Sequence, residues 1–189
     1  MNYTIEDVKI RLKEILSPER YEHSLGTAEA ACILAKEYKL DDAKAYFTGL
    51  IHDCAKCLPK DTTLEIIKNM DLVCGELDNP KTHHAPAGVY IAKKEFNVTD
   101  EEVLSSIRWH TIGKLAMTDF EKIIFLADKI EKRTRSEECA QPIRDALKTG
   151  GLDAALLVCY KGTIKSLVAR DLTICTMTVD IYNSLLNSH

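Results

Sequence analysis

Apolar residues recur at helical spacing along most of this chain. Near the N-terminus, Ile5, Val8, Leu12 and Ile15 repeat every three or four positions, which is the period of a helix face. Thr4 stands just before them and is followed three positions later by an acidic residue, the pattern of a capping box. The chain is therefore predicted to begin with an amphipathic helix.

Cap and proline signals place the next helices. Ser17 before Pro18 predicts a helix from about residue 18 to 38, because proline is favoured in a first helical turn. Asp41 and Asp61 are predicted to cap the third and fourth helices. The third carries Ala45, Leu50 and Ile51, the fourth ends near residue 69, a loop covers 71–83, and a fifth helix runs from about Pro86 to Phe96.

The second half of the chain gives the same kind of pattern. Thr99 and Thr118 each precede a glutamate by three residues and an apolar-periodic run, so both are predicted helix caps. The glycines at 150 and 151 predict a break, followed by one or two helices over 152–185. The segment 172–179 is rich in β-branched residues, but we predict helix because no partner strand is evident.

Composition supports a helical chain with one domain. Eight glycines and five prolines in 189 residues are too few for the many turns of an all-β fold. We find no repeat and no linker. The prediction is a single all-α helical bundle spanning 1–189, with a motif-bearing core over about 18–135 and C-terminal helices over about 136–186.

Charge and targeting signals limit the partners. The net charge of −4 argues against a large basic surface for nucleic acid or anionic membrane. No signal peptide precedes the first helix, and no apolar run approaches the ~20 residues of a membrane span. Seven scattered cysteines favour reduced thiols over a disulfide framework. A cytoplasmic protein is predicted.

Histidine and aspartate residues supply the candidate chemistry. The adjacent pair His52 and Asp53 follows an apolar run, and we expect both side chains to share a metal over a helix edge. Asp128 follows five apolar residues, so its carboxylate needs a partner if it is buried. The complete ordered set is His23, His52, Asp53, His84, His110 and Asp128.

This set predicts a buried site for metal ions. Imidazole and carboxylate together suit iron, manganese, cobalt or zinc better than calcium. Six ligands exceed one tetrahedral zinc and fit two metals that share a carboxylate. Two metals about 3.5–4 Å apart can stabilise the attacking and leaving oxygens of an in-line displacement. The expected chemistry is hydrolysis of a phosphoester or phosphoanhydride.

The order and contexts of these residues resemble the HD-domain metallohydrolase superfamily, whose pattern is H…HD…D. The chain is most similar to the bacterial YqeK-type family of symmetrical bis(5′-nucleosyl)-tetraphosphatases. The resemblance extends over about residues 20–131. The stretches that carry it are 20–26 (RYEHSLG), 52–56 (HDCAK), 84–88 (HAPAG), 107–113 (IRWHTIG), 115–117 (LAM) and 121–131 (EKIIFLADKIE).

The resemblance implies a helical fold and hydrolysis of diadenosine tetraphosphate to two ADP by a metal-bound hydroxide. It implies that one metal is held by His23, His52, Asp53 and Asp128. A second would be held by His84, His110 and a shared Asp53. Iron is the favoured metal, with manganese or cobalt as alternatives. The partner is a nucleotide, and a homodimer is compatible with the family.

Cations near these ligands are the candidates for binding phosphate. Arg20 lies one helical turn before His23, and Lys56 lies three residues after Asp53, so both are predicted to face the cleft and to act in catalysis with Asp53. Thr111 could donate a hydrogen bond to a phosphate oxygen.

Two positions depart from the family pattern. The family has an arginine three residues after the glutamate of its last motif, where this chain has Thr134. Arg133 or Arg135 could replace it. His83 stands where relatives often carry an aromatic residue, and we predict that it packs or stacks near the substrate.

Three other functions remain open from the sequence. The chain could be another HD phosphohydrolase that acts on nucleoside mono- or triphosphates. It could be a mixed-valent di-iron oxygenase, or a non-catalytic nucleotide sensor, although a sensor should lack metal ligands. Cys54 and Cys57 form a Cys-x-x-Cys, which could be a redox pair or half of a zinc site. No second such motif accompanies it.

Overall fold

A computed structural model describes residues 4–73, 76 and 79–187, and these residues form helices joined by turns and loops. The described ranges contain no strand, which confirms the predicted all-α class. The helices are α1 (Ile5–Ile15), α2 (Pro18–Glu37), α3 (Asp42–Ile51), α4 (Lys60–Ile67), α5 (His84–Phe96), α6 (Glu101–Trp109), α7 (Asp119–Ile130), α8 (Glu137–Val168) and α9 (Thr176–Asn187).

Side-chain caps fix several helix starts. Thr4 and Thr118 each complete a capping box, as predicted. The Ser17 hydroxyl accepts a hydrogen bond from the Arg20 backbone N–H at 3.3 Å, with Pro18 as the first residue of α2. These caps satisfy backbone N–H groups that have no partner within the helix.

Three predicted starts were wrong by one or two residues. α4 begins at Lys60 after Pro59, which has no side-chain cap, rather than after Asp61. Asp100 caps α6 in place of Thr99, since its Oδ1 accepts from two backbone N–H groups. α5 begins at His84, two residues before Pro86, because proline is tolerated anywhere in a first turn.

The C-terminal part has a kink within α8 and a non-helical segment between α8 and α9. Gly151 has φ 72° and ψ −160°, which confirms the predicted break as a kink inside α8. The helix prediction for 172–179 was half right, because α9 begins at Thr176. Asp171 has φ 52°, and the Leu172 N–H donates to the Leu167 carbonyl at 3.0 Å, so the chain leaves the helix there.

Two apolar cores support the helices that carry the candidate histidines. One core joins α2, α7, α8 and α9, and the other joins α1, α3, α5 and α6. α2 and α3 pack closely because Gly49 has no side chain: a Cβ there would lie 2.9 Å from Ala28 Cα. This close approach brings the end of α3 next to His23 of α2.

Two further expectations concern membranes and thiols. Of the helices in the described part of the chain, none has the length and apolarity needed to span a bilayer. Among the described cysteines, Cys32, Cys54, Cys57, Cys139 and Cys159 are reduced thiols, as predicted. Cys74 lies outside the described residues.

Candidate metal centre

The first group of ligands comes from three helices. His23 lies in α2, His52 and Asp53 follow α3, and Asp128 lies in α7, and all four side chains are buried. Nε2 of His23 lies 2.9 Å from Asp128 Oδ1 and 4.0 Å from Asp53 Oδ2. Nε2 of His52 lies 3.8 Å from Asp53 Oδ2. Ligand atoms of His23, His52 and Asp53 all lie within 4.8 Å of one another, close enough to hold one ion.

The second group uses the other oxygen of the same aspartate. Asp53 Oδ1 lies 3.1 Å from His84 Nε2 and 3.5 Å from His110 Nε2. His84 is the first residue of α5, and His110 directly follows α6. The ligand atoms of these two residues and Asp53 form a second buried set within 4.8 Å of one another. Asp53 therefore belongs to both groups, with one carboxylate oxygen directed to each.

The geometry fits metal ions better than a purely polar core. Nε2 of His52 is fully buried and has no hydrogen-bond partner among the described residues. Burying a polar atom without a partner is costly, and a metal bond removes that cost. Nε2 of His84 lies 3.0 Å from Nε2 of His110. Since a metal–imidazole bond is ~2.1 Å long, two nitrogens this close could both bind one ion.

Further contacts orient the histidine rings. Nδ1 of His52 donates to the Gly49 carbonyl at 2.7 Å, and Nδ1 of His110 donates to the Ile107 carbonyl at 2.7 Å. Both Nε2 atoms are then left as acceptors for a metal. Outer contacts of this kind fix the tautomer of metal-binding histidines.

Burial sets the protonation of the ligands. It lowers the pKa of His52 to about 3 and that of His84 to about 4. Burial alone would raise the pKa of Asp53, but interactions with His52 and the other two rings hold it well below its usual range. Burial likewise opposes the low pKa of Asp128, which Lys129 chiefly maintains. Neutral imidazoles and ionised carboxylates are the forms that bind metal.

The expectation that the His-Asp pair spans a helix edge was wrong. α3 ends at Ile51, His52 caps it, and Asp53 lies in the turn that follows. The N–H groups of Cys54 and Lys56 donate to the Ile51 and Asp53 carbonyls at 3.0 and 2.8 Å. The tight turn, rather than helical geometry, lets both side chains face the same buried site.

A cleft of about 250 Å³ opens beside both groups. Four of the candidate metal ligands line the cleft: Asp53, Asp128, His84 and His110. The other lining residues are five cations and two threonines, Thr82 and Thr111. The cations are Arg20, Lys56, Lys81, Lys129 and Arg135.

The cations contact the ligands directly. Nη1 of Arg20 lies 3.4 Å from Asp53 Oδ2, and Lys56 Nζ lies 3.2 Å from His84 Nδ1. Burial lowers the pKa of Lys56. The structure thus brings both predicted cations to the cleft beside the metal ligands.

The structure distinguishes the two arginines that the sequence left as alternatives. Arg135 lines the cleft, where its guanidinium pairs with the Asp128 carboxylate and its Nε donates to the Asp128 carbonyl at 2.7 Å. Arg133 points elsewhere and pairs with Glu22 and Glu29 of α2.

Of the other two predicted substrate contacts, Thr111 lies in the cleft lining and His83 does not. Thr111 lines the cleft, and its Oγ1 is buried without a hydrogen-bond partner among the described residues. His83 is buried and does not line the cleft, and its Nε2 lies 3.1 Å from the Glu76 carbonyl. Its role in substrate binding stays a prediction.

Sequence reasoning missed several residues around the centre. Lys81, Thr82 and Lys129 line the cleft, and Glu131 contacts His23 at 3.1 Å. Glu131 follows Asp128 by three residues, a spacing that could have indicated it. Lys81 and Thr82 fall in the predicted loop and carried no signal.

Comparison with known proteins agrees with this geometry. Residues 20–133 match the model of the HD domain family. A Bacillus subtilis (strain 168) protein named symmetrical bis(5′-nucleosyl)-tetraphosphatase is 34% identical over 183 residues, covering 96% of this chain and 97% of that protein. A Staphylococcus aureus protein of the same name is 36% identical over 181 residues, covering 95% and 93%.

A solved structure is similar over the whole chain. It is a Clostridium acetobutylicum protein described as a predicted HD superfamily hydrolase involved in NAD metabolism, with a TM-score of 0.92, 34% identity and 100% coverage of both chains. The buried histidines and aspartates thus occur in a fold and a sequence shared with these proteins, and the chain belongs to the HD domain family, together with relatives named symmetrical bis(5′-nucleosyl)-tetraphosphatase.

Proposed function

We propose that this protein hydrolyses dinucleoside polyphosphates and cleaves diadenosine tetraphosphate symmetrically to two ADP. The observation that carries the proposal is the position of Asp53, which directs one oxygen to each histidine group at the floor of a cationic cleft. Relatives that share about a third of the sequence bear the name of this activity.

The proposed metal ligands follow the two groups. His23, His52, Asp53 and Asp128 would hold one ion, and His84, His110 and Asp53 the other. Two such ions supply Lewis acidity and lower the pKa of water enough for attack at neutral pH. We favour iron, which the resemblance to the family implies. Manganese and cobalt are the alternatives, because mixed imidazole and carboxylate ligands suit all three ions.

The remaining residues bind the phosphate chain. Arg20, Lys56 and Arg135 would donate hydrogen bonds to phosphate oxygens and neutralise the charge that develops as the bond breaks. The Thr111 hydroxyl, which lacks a partner among the described residues, would donate to one of these oxygens. His83 and Arg133 remain less direct candidates because neither lines the cleft.

The reaction balances with water as the co-substrate. A water oxygen bonds to one of the two central phosphorus atoms, and the bond from that phosphorus to the central bridging oxygen breaks. The bridging oxygen leaves with the electron pair on one ADP, the attacked half becomes the second ADP, and a water proton passes to solvent. An ADP leaving group is stable enough that this step needs no strong general acid.

Product analysis tests the proposal. Protein loaded anaerobically with ferrous iron, and separately with manganese, is incubated with diadenosine tetraphosphate, and products are separated by ion exchange. ADP alone, with no turnover by the His52→Ala/Asp53→Ala double variant, supports it. Formation of AMP and ATP would show that the cleavage is asymmetrical and would contradict the symmetrical reaction. Tight nucleotide binding without turnover would favour a sensor, and oxygen consumption would favour an oxygenase.

Two further properties are part of the proposal. We propose that the protein acts in the cytoplasm and forms a homodimer. Light scattering coupled to gel filtration tests the dimer, since a mass of about one chain at micromolar concentration would contradict it.

A further inference from the structure

The described walls of the cleft are polar throughout. Each lining residue carries a charge, an imidazole or a hydroxyl, and none is aliphatic or carries a phenyl or indole ring. Pockets that enclose a whole drug-sized ligand are commonly about 300–1,000 Å³ and mostly apolar. At about 250 Å³ this cleft is smaller, and the described residues that line it offer no aliphatic side chain and no phenyl or indole ring on which a nucleobase could stack.

The cations lie at both ends of the ligand cluster. Lys56 lies beside His84 of the second group, whereas Lys129 and Arg135 pair with Asp128 of the first. Lys81, which is exposed, is a fifth cation in the lining. The lysine and arginine side chains of the lining exceed its carboxylates by five to two, an excess of three positive charges. This charge matches a phosphate chain that lies across both groups.

We propose that the cleft recognises the phosphate chain and leaves the nucleosides outside, so that the protein also binds and hydrolyses inorganic oligophosphates, with linear tetraphosphate as the matching substrate. The inference rests on the proposed function for its chemistry. It adds that four phosphates are the recognised unit and that the base contributes little to binding.

The inorganic reaction has the same balance as the nucleotide reaction. A water oxygen bonds to one central phosphorus of tetraphosphate, and the central bridging bond breaks. The bridging oxygen leaves with the electron pair on one pyrophosphate, and the attacked half becomes the second pyrophosphate. A water proton passes to solvent, and no oxidant or further reactant is required.

Kinetics and binding on the manganese-loaded protein test the proposal. We expect kcat/KM for diadenosine and diguanosine tetraphosphate to agree within about threefold, since each tenfold difference needs about 1.4 kcal/mol of base recognition. We expect tetraphosphate to compete with both, to yield pyrophosphate alone, and to bind in calorimetry to the full-length protein. A preference for adenine above tenfold, or a lack of competition by tetraphosphate, would overturn the proposal.

Lys81 provides a second measurement that does not depend on turnover. Lys81→Ala should weaken calorimetric binding of tetraphosphate and of diadenosine tetraphosphate by the same factor, about three- to tenfold, and reduce the salt dependence of both. Lys165→Ala, which removes an exposed lysine of α8 outside the cleft, should change neither. Weaker binding of the dinucleotide alone would place Lys81 against a nucleoside and contradict the proposal.

Failure of this inference and failure of the proposed function give different results. If diadenosine tetraphosphate is cleaved to ADP and tetraphosphate does not bind, the function stands and the inference fails. If tetraphosphate is bound and cleaved and the dinucleotide is bound but not cleaved, the recognition of the phosphate chain stands and the proposed function fails.

Discussion

Nδ1 of His23 lies 3.1 Å from Oε1 of Glu131, a carboxylate that is completely buried. The same carboxylate also accepts hydrogen bonds from the backbone N–H groups of Arg133 and Thr134. Glu131 therefore fixes the His23 ring from behind and leaves Nε2 directed at Asp128 and Asp53.

Removing this contact should weaken metal binding. We expect Glu131→Ala to lower manganese affinity by about 10- to 100-fold, and Glu131→Gln to lower it less because the amide oxygen can still accept. Competition titration with a chelating dye measures both affinities. Glu138→Ala, at an exposed position of α8, is the control. An unchanged affinity in Glu131→Ala would contradict the orienting role.

The two neighbouring arginines should differ sharply in kinetics. Arg135→Ala should raise KM for diadenosine tetraphosphate by about tenfold or more, because hydrogen bonds to charged groups contribute about 1.5–3 kcal/mol. Arg133→Ala breaks only surface ion pairs with Glu22 and Glu29, so its KM should stay within about twofold. Steady-state kinetics of the two variants measures both KM values. Equal increases in KM would contradict the different roles of Arg135 and Arg133.

Tyr160 should stabilise the segment that follows His110. Its hydroxyl is buried and donates to the Ile112 carbonyl at 2.8 Å. Tyr160→Phe keeps the ring and leaves that carbonyl without its donor, so the free energy of unfolding should fall by about 1–2 kcal/mol. Urea denaturation measures it, with the half-exposed Tyr90→Phe as a control that should change little.

Acid should destabilise the metal-free protein. Burial lowers the pKa of His52 to about 3 and of His84 to about 4, from 6.5 in the unfolded chain. Between pH 6.5 and about 4 the unfolded chain binds protons that the folded chain does not, so stability falls as pH falls. The slope should approach ~1.4 kcal/mol per pH unit for each histidine.

Denaturation of chelator-treated protein at pH 6.5 and 4.5 checks this slope. His52→Asn removes one titrating group and should flatten it by about half. A stability that is the same at both pH values in the unmodified chain would count against neutral buried imidazoles.

Thiol reactivity should follow burial. Burial raises the pKa of the Cys159 thiol to about 12 and also raises that of Cys54, whereas Cys57 is exposed. Brief alkylation at pH 8 followed by peptide mapping should label Cys57 and spare the other two, because the thiolate is the reactive form. Rapid labelling of Cys54 would revive the redox-pair hypothesis for the Cys-x-x-Cys.

The sequence by itself determined the helical class, the starts of α1, α2, α3 and α7, and the burial of the six candidate histidines and aspartates. Apolar spacing and caps such as Thr4 and Thr118 act within a few residues, so their outcome can be read locally. The position of Asp128 can also be interpreted locally. Five apolar residues precede it, so its carboxylate was expected to be buried and to need a partner. The single-domain boundaries and the roles of the site residues stay predictions.

Only the tertiary structure decided how these residues meet. In the folded protein, each carboxylate oxygen of Asp53 faces a different histidine group, and Glu131 contacts Nδ1 of His23. Arg135 lines the cleft, whereas Arg133 does not. Lys81 lines the cleft but lies in a loop, where the sequence shows no apolar periodicity that could have predicted its position. Such contacts depend on the packing of helices distant in sequence, as where Gly49 meets Ala28, and local patterns do not specify that packing.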